Sequence, residues 1–189
     1  IWGNINSLLV TYNFEDEIAL KNFRKGLDEA LNESAVERVI IIVSTPKGIN
    51  KNRLSPHFLI YYNSPNDYSF FGGLKDHQLA SEIKKPFDVL LCFGVINKHL
   101  KNAIKQTLVK KKILVNSELT EDSSYDLELN SASDSPNEVI HFVVETLKKI
   151  IKNYDLENKI FFKGFKRNIK VQILESDLIL QTPVFPDSL

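Results

Sequence analysis

Short apolar runs alternate with longer helical patterns through the first 115 residues of the chain. The runs are rich in β-branched and aromatic residues, whereas the segments between them repeat apolar residues at helical spacing. Strands that alternate with helices are typical of β-α-β units, in which consecutive strands lie parallel in one sheet. The sequence therefore predicts a Rossmann-like, three-layer α/β domain with a mostly parallel sheet. The predicted strands are residues 8–12, 39–43, 58–62, 87–93 and 113–115.

Two of these predicted strands are apolar over nearly their whole length, at residues 39–43 and 87–93. Strands of this kind are covered by helices on both faces, so we expect them to be neighbouring inner strands of the sheet. A short edge strand is expected within residues 125–129. Helices are predicted over residues 15–32, 75–84, 98–108 and 137–154, the first with an acidic first turn.

The last 35 residues have a different pattern. Short strand-like runs at residues 160–162, 169–173 and 178–180 are separated by polar turns. We therefore divide the chain into a Rossmann-like α/β domain, residues 1–154, and a β-rich C-terminal extension, residues 155–189. The sequence leaves open whether this extension packs on the sheet edge of its own domain or on another chain.

Charge and cysteine content limit the classes of protein that fit. The chain has 24 Lys and Arg against 24 Asp and Glu, so no net charge draws it to nucleic acid or to an anionic membrane. The only cysteine, Cys92, rules out a disulfide within the chain and is expected to be a small buried hydrophobe. Without a signal peptide or a long apolar segment at the start, a cytoplasmic protein without membrane contact is expected. The sequence has no methionine, which leaves open whether it is a fragment.

The motifs that mark common enzymes and cofactor sites are absent from the sequence. No Gly-x-Gly-x-x-Gly follows the first strand, and there is no phosphate-binding Gly-x-x-x-x-Gly-Lys, no Gly-x-Ser-x-Gly elbow and no pair of Cys or His at metal-ligand spacing. We therefore predict no catalytic residue, no metal and no cofactor. Beyond the strand carboxyl ends, Thr45, Lys47 and Gly48 are candidates for holding an anion, but a plain Pro-Gly turn is the favoured interpretation.

Isolated polar residues are predicted to have structural or surface roles. Asp88 begins a core strand, at the end of the sheet opposite to the one where ligands bind, so capping or solvation is expected. The histidines have no carboxylate or serine at a revealing spacing. They are His57, His77, His99 and His141.

A cluster of lysines is the clearest local charge feature. Three of them share one face of a predicted helix, and three more follow closely in sequence. Such a face is able to track the phosphates of a nucleic acid, although a solvated lysine-rich surface is the favoured alternative. The candidate contact surface consists of Lys98, Lys101, Lys105, Lys110, Lys111 and Lys112.

An aromatic and glycine-rich loop precedes the second helix. Tyr68, Phe70 and Phe71 would be able to stack on a base or to fill a pocket of a partner. Aromatic residues in such a loop more often anchor it to the core, and this is the favoured interpretation.

Two stretches of the chain resemble known families. Residues 7–151 resemble a family of small Bacteroidota proteins, a domain of unknown function, at residues 66–75 (NDYSFFGGLK), 85–91 (KPFDVLL), 111–115 (KKILV) and 125–129 (YDLEL). This resemblance implies a Rossmann-like fold and no established activity. Residues 156–165 (LENKIFFKGF), 175–178 (ESDL) and 185–189 (FPDSL) resemble the nucleotide-sugar half of two-Rossmann retaining glycosyltransferases. In that family an acidic residue and a glycine, which hold the donor sugar, precede the Phe-Pro pair, whereas here Pro183 and Val184 occupy those places.

A complete core pattern without a catalytic constellation favours a non-catalytic α/β domain that acts through surface contacts. The expected partner is a protein or a ribonucleoprotein. The alternative is a nucleotide-sugar-dependent glycosyltransferase or a degenerate relative of one.

Overall fold

The structure, a computed structural model, describes residues 5–32, 34–94, 96–116 and 125–153. In chain order its strands and helices are β1 (Ser7–Asn13), α1 (Glu17–Leu31), β2 (Arg38–Ser44), β3 (Ile60–Asn63), α2 (His77–Glu82), β4 (Phe87–Phe93), α3 (Lys98–Lys105), β5 (Val109–Val115), β6 (Leu127–Leu129) and α4 (Pro136–Asn153). Within the described residues, six parallel strands form one sheet in the order β3-β2-β1-β4-β5-β6. This is the order of doubly wound dinucleotide-binding domains, and the predicted Rossmann-like α/β fold is confirmed.

The expectation that residues 39–43 and 87–93 are neighbouring strands is wrong. β1 lies between β2 and β4, with Leu9 in register with Ile40 on one side and with Leu90 on the other. Both runs are inner strands, as predicted, and they are largely buried. An unbroken apolar run indicates burial on both faces, but it carries no information on which strand lies beside it.

Helices cover both faces of the sheet, which confirms the three-layer arrangement. α1 and α4 pack on one face, where Phe23 and Val143 are buried in a common cluster. α2 and α3 pack on the other face, where Leu79 and Leu100 share a second cluster with Cys92. Cys92 is fully buried and burial raises the pKa of its thiol, so its predicted role as a small hydrophobe is confirmed.

The first three helices begin at polar residues whose side chains accept hydrogen bonds from first-turn amides. Asp16 caps α1, Asp76 caps α2 and Asn97 caps α3. These caps satisfy N–H groups that have no partner inside the helix. Since each helix follows a strand, its capped end lies towards the carboxyl edge of the sheet.

Some element boundaries differ from the predicted ones. β3 begins at Ile60 rather than at residue 58. β5 begins at Val109 rather than at residue 113, because pairing with β4 continues through lysines whose polarity hides the strand pattern. The predicted short edge strand is β6. The extension over residues 155–189 and its predicted strands lie outside the described residues.

Candidate functional site

The carboxyl edge of the sheet gathers polar side chains. Asn13, Ser44 and Asn63 end β1, β2 and β3 in direct register. After β3 the chain crosses to the other side of β1 and continues with β4, so β1 and β4 flank the topological switch point. In open α/β sheets, ligands bind in the crevice outside the strand ends at this point. This crevice is therefore the candidate functional site.

A cleft of about 210 Å³ lies at the switch point. We call it the switch-point cleft. It is formed by the carboxyl ends of β1, β4 and β5 together with residues in and before α1 and α4, on the face of the sheet that these two helices cover. Its lining residues are Tyr12, Asn13, Glu15, Phe23, Phe93, Gly94, Asn116, Ser133, Asp134, Pro136 and Val139.

Two residues with left-handed backbone shape this cleft. Gly94 follows β4 with a φ of +72°, and a Cβ there would lie 3.1 Å from Asn13 Nδ2. Glycine therefore supplies the conformation and leaves room for the Asn13 amide. Asn116 follows β5 with a φ of 46°, which asparagine tolerates better than most residues. Its Oδ1 accepts a hydrogen bond from the Ser131 amide at 2.7 Å, which ties the loop after β6 to the end of β5.

Tyr12, one of the lining residues of the cleft, has a buried polar group. The side chain is only 6% exposed, and its ring stacks on Phe23 with the ring centroids 4.1 Å apart. Its hydroxyl has no hydrogen-bond partner among the described residues. Burial, together with the nearby carboxylates of Glu15 and Asp16, raises the pKa of Tyr12 to about 12. An unpaired buried hydroxyl costs stability.

The charged groups of the switch-point cleft are acidic. Of the described residues that line it, Glu15 and Asp134 are carboxylates, and none is Lys, Arg or His. The helix N-termini beside it are acidic too, with Asp16 and Glu17 at α1 and Glu138 at α4. In dinucleotide-binding domains the pyrophosphate lies at the N-terminus of the first helix. Here the Asp16 carboxylate already caps that position, so this edge disfavours anions.

An aromatic hairpin, residues 68–74, projects from the carboxyl edge. Its ends are joined by an antiparallel bridge, and the Ser69 amide donates to the Gly73 carbonyl at 2.8 Å. Phe70 and Phe71, at its tip, are 98% and 95% exposed. Their rings contact edge to face with the centroids 5.5 Å apart. The hairpin thus presents two adjacent apolar rings to solvent.

The base of the aromatic hairpin is held firmly. The Tyr68 hydroxyl is buried and donates to Asn63 Oδ1 at 2.8 Å, and the Tyr68 ring stacks on His99 of α3. Just before it, Asp67 Oδ1 lies 2.6 Å from Lys51 Nζ. The anchoring interpretation therefore holds for Tyr68, but not for the two tip residues, because a tight turn holds their side chains away from the core.

Comparison of the chain with protein-family models, curated proteins and solved structures finds no match. Function is therefore inferred from the residues themselves. In the part of the chain that the structure describes, no group of three or more His, Cys, Asp or Glu is arranged to hold a metal. No helix in that part is both long and apolar enough to cross a membrane. The glycosyltransferase resemblance lies in residues 156–189, outside the described residues, and both resemblances stay predictions.

The first three lysines of the candidate basic surface lie on α3. Lys98 and Lys105 are exposed, and Lys101 is half-buried. Their spacing places them along one side of the helix. His99, which follows Lys98, contacts Tyr68, so this row of lysines begins beside the base of the aromatic hairpin.

The other three lysines do not share one surface. Side chains alternate along β5 where it runs into Ile113 and Leu114, so Lys112 lies on the face covered by α2 and α3 and Lys111 lies on the opposite face. Lys110 Nζ is 2.6 Å from Asp88 Oδ1, and Lys111 Nζ is 3.4 Å from Asp126 Oδ1. These ion pairs reduce the positive charge that would meet a phosphate backbone. Binding of nucleic acid by the lysines stays a prediction.

Three further residues singled out in the sequence have structural contacts. The Thr45 hydroxyl is buried and donates to the Asn63 carbonyl at 3.3 Å, which agrees with a plain turn rather than an anion site. His57 Nδ1 accepts from the Leu59 amide at 3.2 Å. His141 Nε2 lies 3.4 Å from Glu29 Oε2 on the surface.

Asp88 joins three strands at the amino edge of the sheet. Its Oδ2 accepts hydrogen bonds from the Asn6 and Ser7 amides, at 2.9 and 3.0 Å, and from the Ser7 hydroxyl at 3.0 Å. The hydrogen bond from Lys110 is the main cause that lowers the pKa of Asp88 to about 2, against the opposing effect of burial. Of the two roles expected for this carboxylate, capping or solvation, the structure shows capping.

We expect Asp88→Asn to lower the free energy of unfolding by on the order of 1.5 kcal/mol at neutral pH, because the amide loses the charge-assisted bonds. Because the pKa of Asp88 in the folded protein is below the ordinary 3.8, its carboxylate contributes its full stabilisation above pH 3.8. This stabilisation is lost as the pH falls towards 2. The difference between wild type and variant in urea unfolding should therefore shrink between pH 4 and pH 2. A difference that stays constant over this range would contradict the assigned contacts.

Proposed function

We propose that this chain is a non-catalytic binding domain that contacts a protein partner through the tip of the aromatic hairpin. The observation that carries the proposal is the exposure of Phe70 and Phe71, at 98% and 95%. Apolar groups that project together from a protein surface commonly mark an interaction site. An aromatic side chain buries about 150–250 Å², and such residues are frequent anchors in the pockets of a partner.

The rigid base of the hairpin supports this role. Binding is weakened by the cost of ordering loops and side chains at the interface. Here Tyr68 is already fixed to Asn63 and stacked on His99. Gly72 has a φ of +81°, which lets the chain reverse sharply behind the two rings. The ring pair is therefore presented to a partner with little further ordering of the loop.

A protein pocket suits the hairpin tip better than a nucleic acid does. Surfaces that bind single-stranded nucleic acid combine stacking aromatic rings with basic side chains that follow the backbone. The charged residues closest in sequence to the tip are Asp67, Lys75 and Asp76, and Asp67 forms an ion pair with Lys51. The hairpin itself therefore has no excess of positive charge.

The test compares the double variant Phe70→Ser/Phe71→Ser with the control Phe58→Ser. Phe58 is 84% exposed and precedes β3, away from the carboxyl edge. Neither variant should change folding by more than about 0.5 kcal/mol per site, because the rings are exposed. Proteins captured by wild type from an extract of the source cells are purified and titrated in binary binding assays.

We expect the partner to bind the double variant at least about 30-fold more weakly, as for loss of an interface hot spot. The control should bind like wild type. If no purified protein binds wild type directly, or if the double variant binds equally well, the proposal is wrong.

A parallel titration with mixed-sequence RNA tests the other class of partner. If RNA contacts α3, replacing Lys98, Lys101 and Lys105 together by Glu should reduce the salt dependence of binding. The slope of the logarithm of the binding constant against the logarithm of the salt concentration should become smaller by roughly 2 to 3. Three results together would replace the proposed protein contact by a ribonucleoprotein contact through α3. Wild type would have to bind RNA in a salt-sensitive way, the triple variant would have to lose that binding, and the hairpin variant would have to keep it.

A further inference from the structure

Helix α3 has a positively charged side that the proposed hairpin contact does not use. Its three lysines, Lys98, Lys101 and Lys105, form the lysine row, and residues 89–117 contain no Asp or Glu. Lys98 lies in the first turn, where the helix dipole opposes a positive charge. Like charges three and four positions apart also destabilise a helix. Departures of this kind from the local rules are expected at functional sites, so the lysine row indicates a contact surface.

The lysine row begins beside the aromatic hairpin. The Tyr68 ring at the hairpin base stacks on His99 with the ring centroids 5.0 Å apart, and His99 directly follows Lys98. Leu74, at the other end of the hairpin, packs against the buried cluster that contains Leu100 of α3. The hairpin is therefore held on the side of the sheet that α3 covers, with its exposed tip next to the start of the lysine row.

We propose that the hairpin tip and the lysine row together bind an acidic amphipathic segment of a protein partner. The apolar side of this segment packs on Phe70 and Phe71, and its carboxylates lie opposite Lys98 and Lys105. The inference rests on the proposed function, since it takes the hairpin tip as the anchor, and it adds the chemical class of the partner. Both lysines are exposed, and neither forms an ion pair with another described residue.

Charge complementarity selects an acidic segment. Interfaces commonly have an apolar centre and a polar rim, and opposite charges across the rim guide association and exclude wrong partners. The carboxylates that flank the hairpin already have partners within the chain, because Asp67 pairs with Lys51 and the Asp76 side chain caps α2. The charge that remains beside the tip is positive. A basic segment would be repelled there, and a neutral one would leave the lysines without a counterpart.

The geometry of the ring pair favours a protein over a nucleic acid. Successive bases of a single strand stack on aromatic faces along a basic groove. The ring planes of Phe70 and Phe71 are 88° apart, so the two rings do not offer parallel faces to two successive bases. The lysines that follow α3 also do not extend the lysine row, since Lys110 and Lys111 are paired with carboxylates.

The binding test uses the full chain and three labelled probes in fluorescence anisotropy titrations. The first probe is an 18-residue peptide of Leu and Glu at helical spacing, apolar on one side and acidic on the other. As a helix it is about 27 Å long, whereas the lysine row spans about 10 Å, so one peptide is able to cover the row and the hairpin tip. The second probe has Gln in place of every Glu, and the third is an 18-nucleotide oligouridylate. We expect saturable binding of the acidic peptide that weakens with salt, with the other two probes at least about tenfold weaker.

Two variants and a charge-matched control locate the contact. The hairpin variant and Lys98→Glu/Lys105→Glu should each weaken binding of the acidic peptide at least about tenfold. The control Lys21→Glu/Lys25→Glu makes the same change in net charge on α1, which covers the opposite face of the sheet and where both lysines are exposed. It should bind the peptide like wild type. If it loses as much affinity as the lysine variant, the peptide responds to net charge alone and the proposal is wrong.

Other results would also overturn the proposal. They are absence of saturable binding of the acidic peptide, equal binding of the Gln peptide, and unchanged affinity in the lysine variant or in the hairpin variant. Tighter binding of oligouridylate than of the acidic peptide would assign the surface to a nucleic acid instead. The proposed function is judged separately, on the purified protein partner. A partner that needs the hairpin tip but binds the lysine variant like wild type leaves the proposed function in place and removes this inference.

Discussion

Replacing Leu90 by alanine should lower the free energy of unfolding by roughly 2–5 kcal/mol. Leu90 is only 1% exposed in the inner strand β4, within the buried cluster that also contains Leu9, Ile40 and Leu100. Alanine leaves a cavity, and neighbours fixed in strands on one side and helices on the other can close it only partly. Urea unfolding measures this loss. The dependence of the unfolding free energy on urea concentration should be the same for wild type and variant.

The matched control is Leu108→Ala, the same substitution in the loop before β5, where the side chain is 68% exposed. Its effect should stay within about 0.5 kcal/mol. A loss well under 1 kcal/mol at Leu90 would be incompatible with a buried inner position for β4.

The class of the fold was readable because strand and helix periods differ. Residues 39–43 and 87–93 are apolar on both faces of their strands. This pattern is typical of inner strands in a parallel sheet that helices cover on both sides. Strand order was not readable in the same way. The placement of β1 between β2 and β4 depends on a crossover after β3, which leaves no local mark on either apolar run. For a similar reason the start of β5 was missed: its lysines pair through their backbone, and backbone pairing is not visible in side-chain polarity.

The candidate site was only partly predictable. The loops at Gly94 and Asn116 follow predicted strands, so the general rule for α/β sheets already pointed to them. Tyr12 ends a predicted strand and Asn13 directly follows it, and that polar ending of an apolar run was a signal available in the sequence. Asp134 was not predictable, because its position depends on how the loop after β6 is tied back to β5.

The aromatic loop shows how similar residues acquire opposite roles. Tyr68 has a hydroxyl that reaches Asn63, and its ring has a neighbour in His99. Phe70 and Phe71 have no polar group to anchor them, and they occupy the tip of a turn that the Ser69 amide closes on the Gly73 carbonyl. Composition alone assigns all three rings to the core. The turn geometry decides which of them reaches it.

The separation of α1 and α4 controls both stability and the shape of the switch-point cleft. Gly26 is buried in α1 at the point where it meets the start of α4. A Cβ at Gly26 would lie 2.5 Å from Asn137 Oδ1 and 3.0 Å from Asn137 Cα. The second contact is with backbone, so no side-chain rotation relieves it. Any larger residue at this position must push the two helices apart.

Gly26→Leu should therefore destabilise the protein by about 1–3 kcal/mol. Leucine favours a helix over glycine by up to about 1 kcal/mol, but overpacking of a close contact typically costs 1–3 kcal/mol and occasionally more. The control Asn22→Leu adds the same side chain to an exposed position of α1 and should change stability by no more than about 0.5 kcal/mol. Thermal unfolding measures the stability of both variants, and a Gly26→Leu protein as stable as wild type would contradict the close contact between α1 and α4.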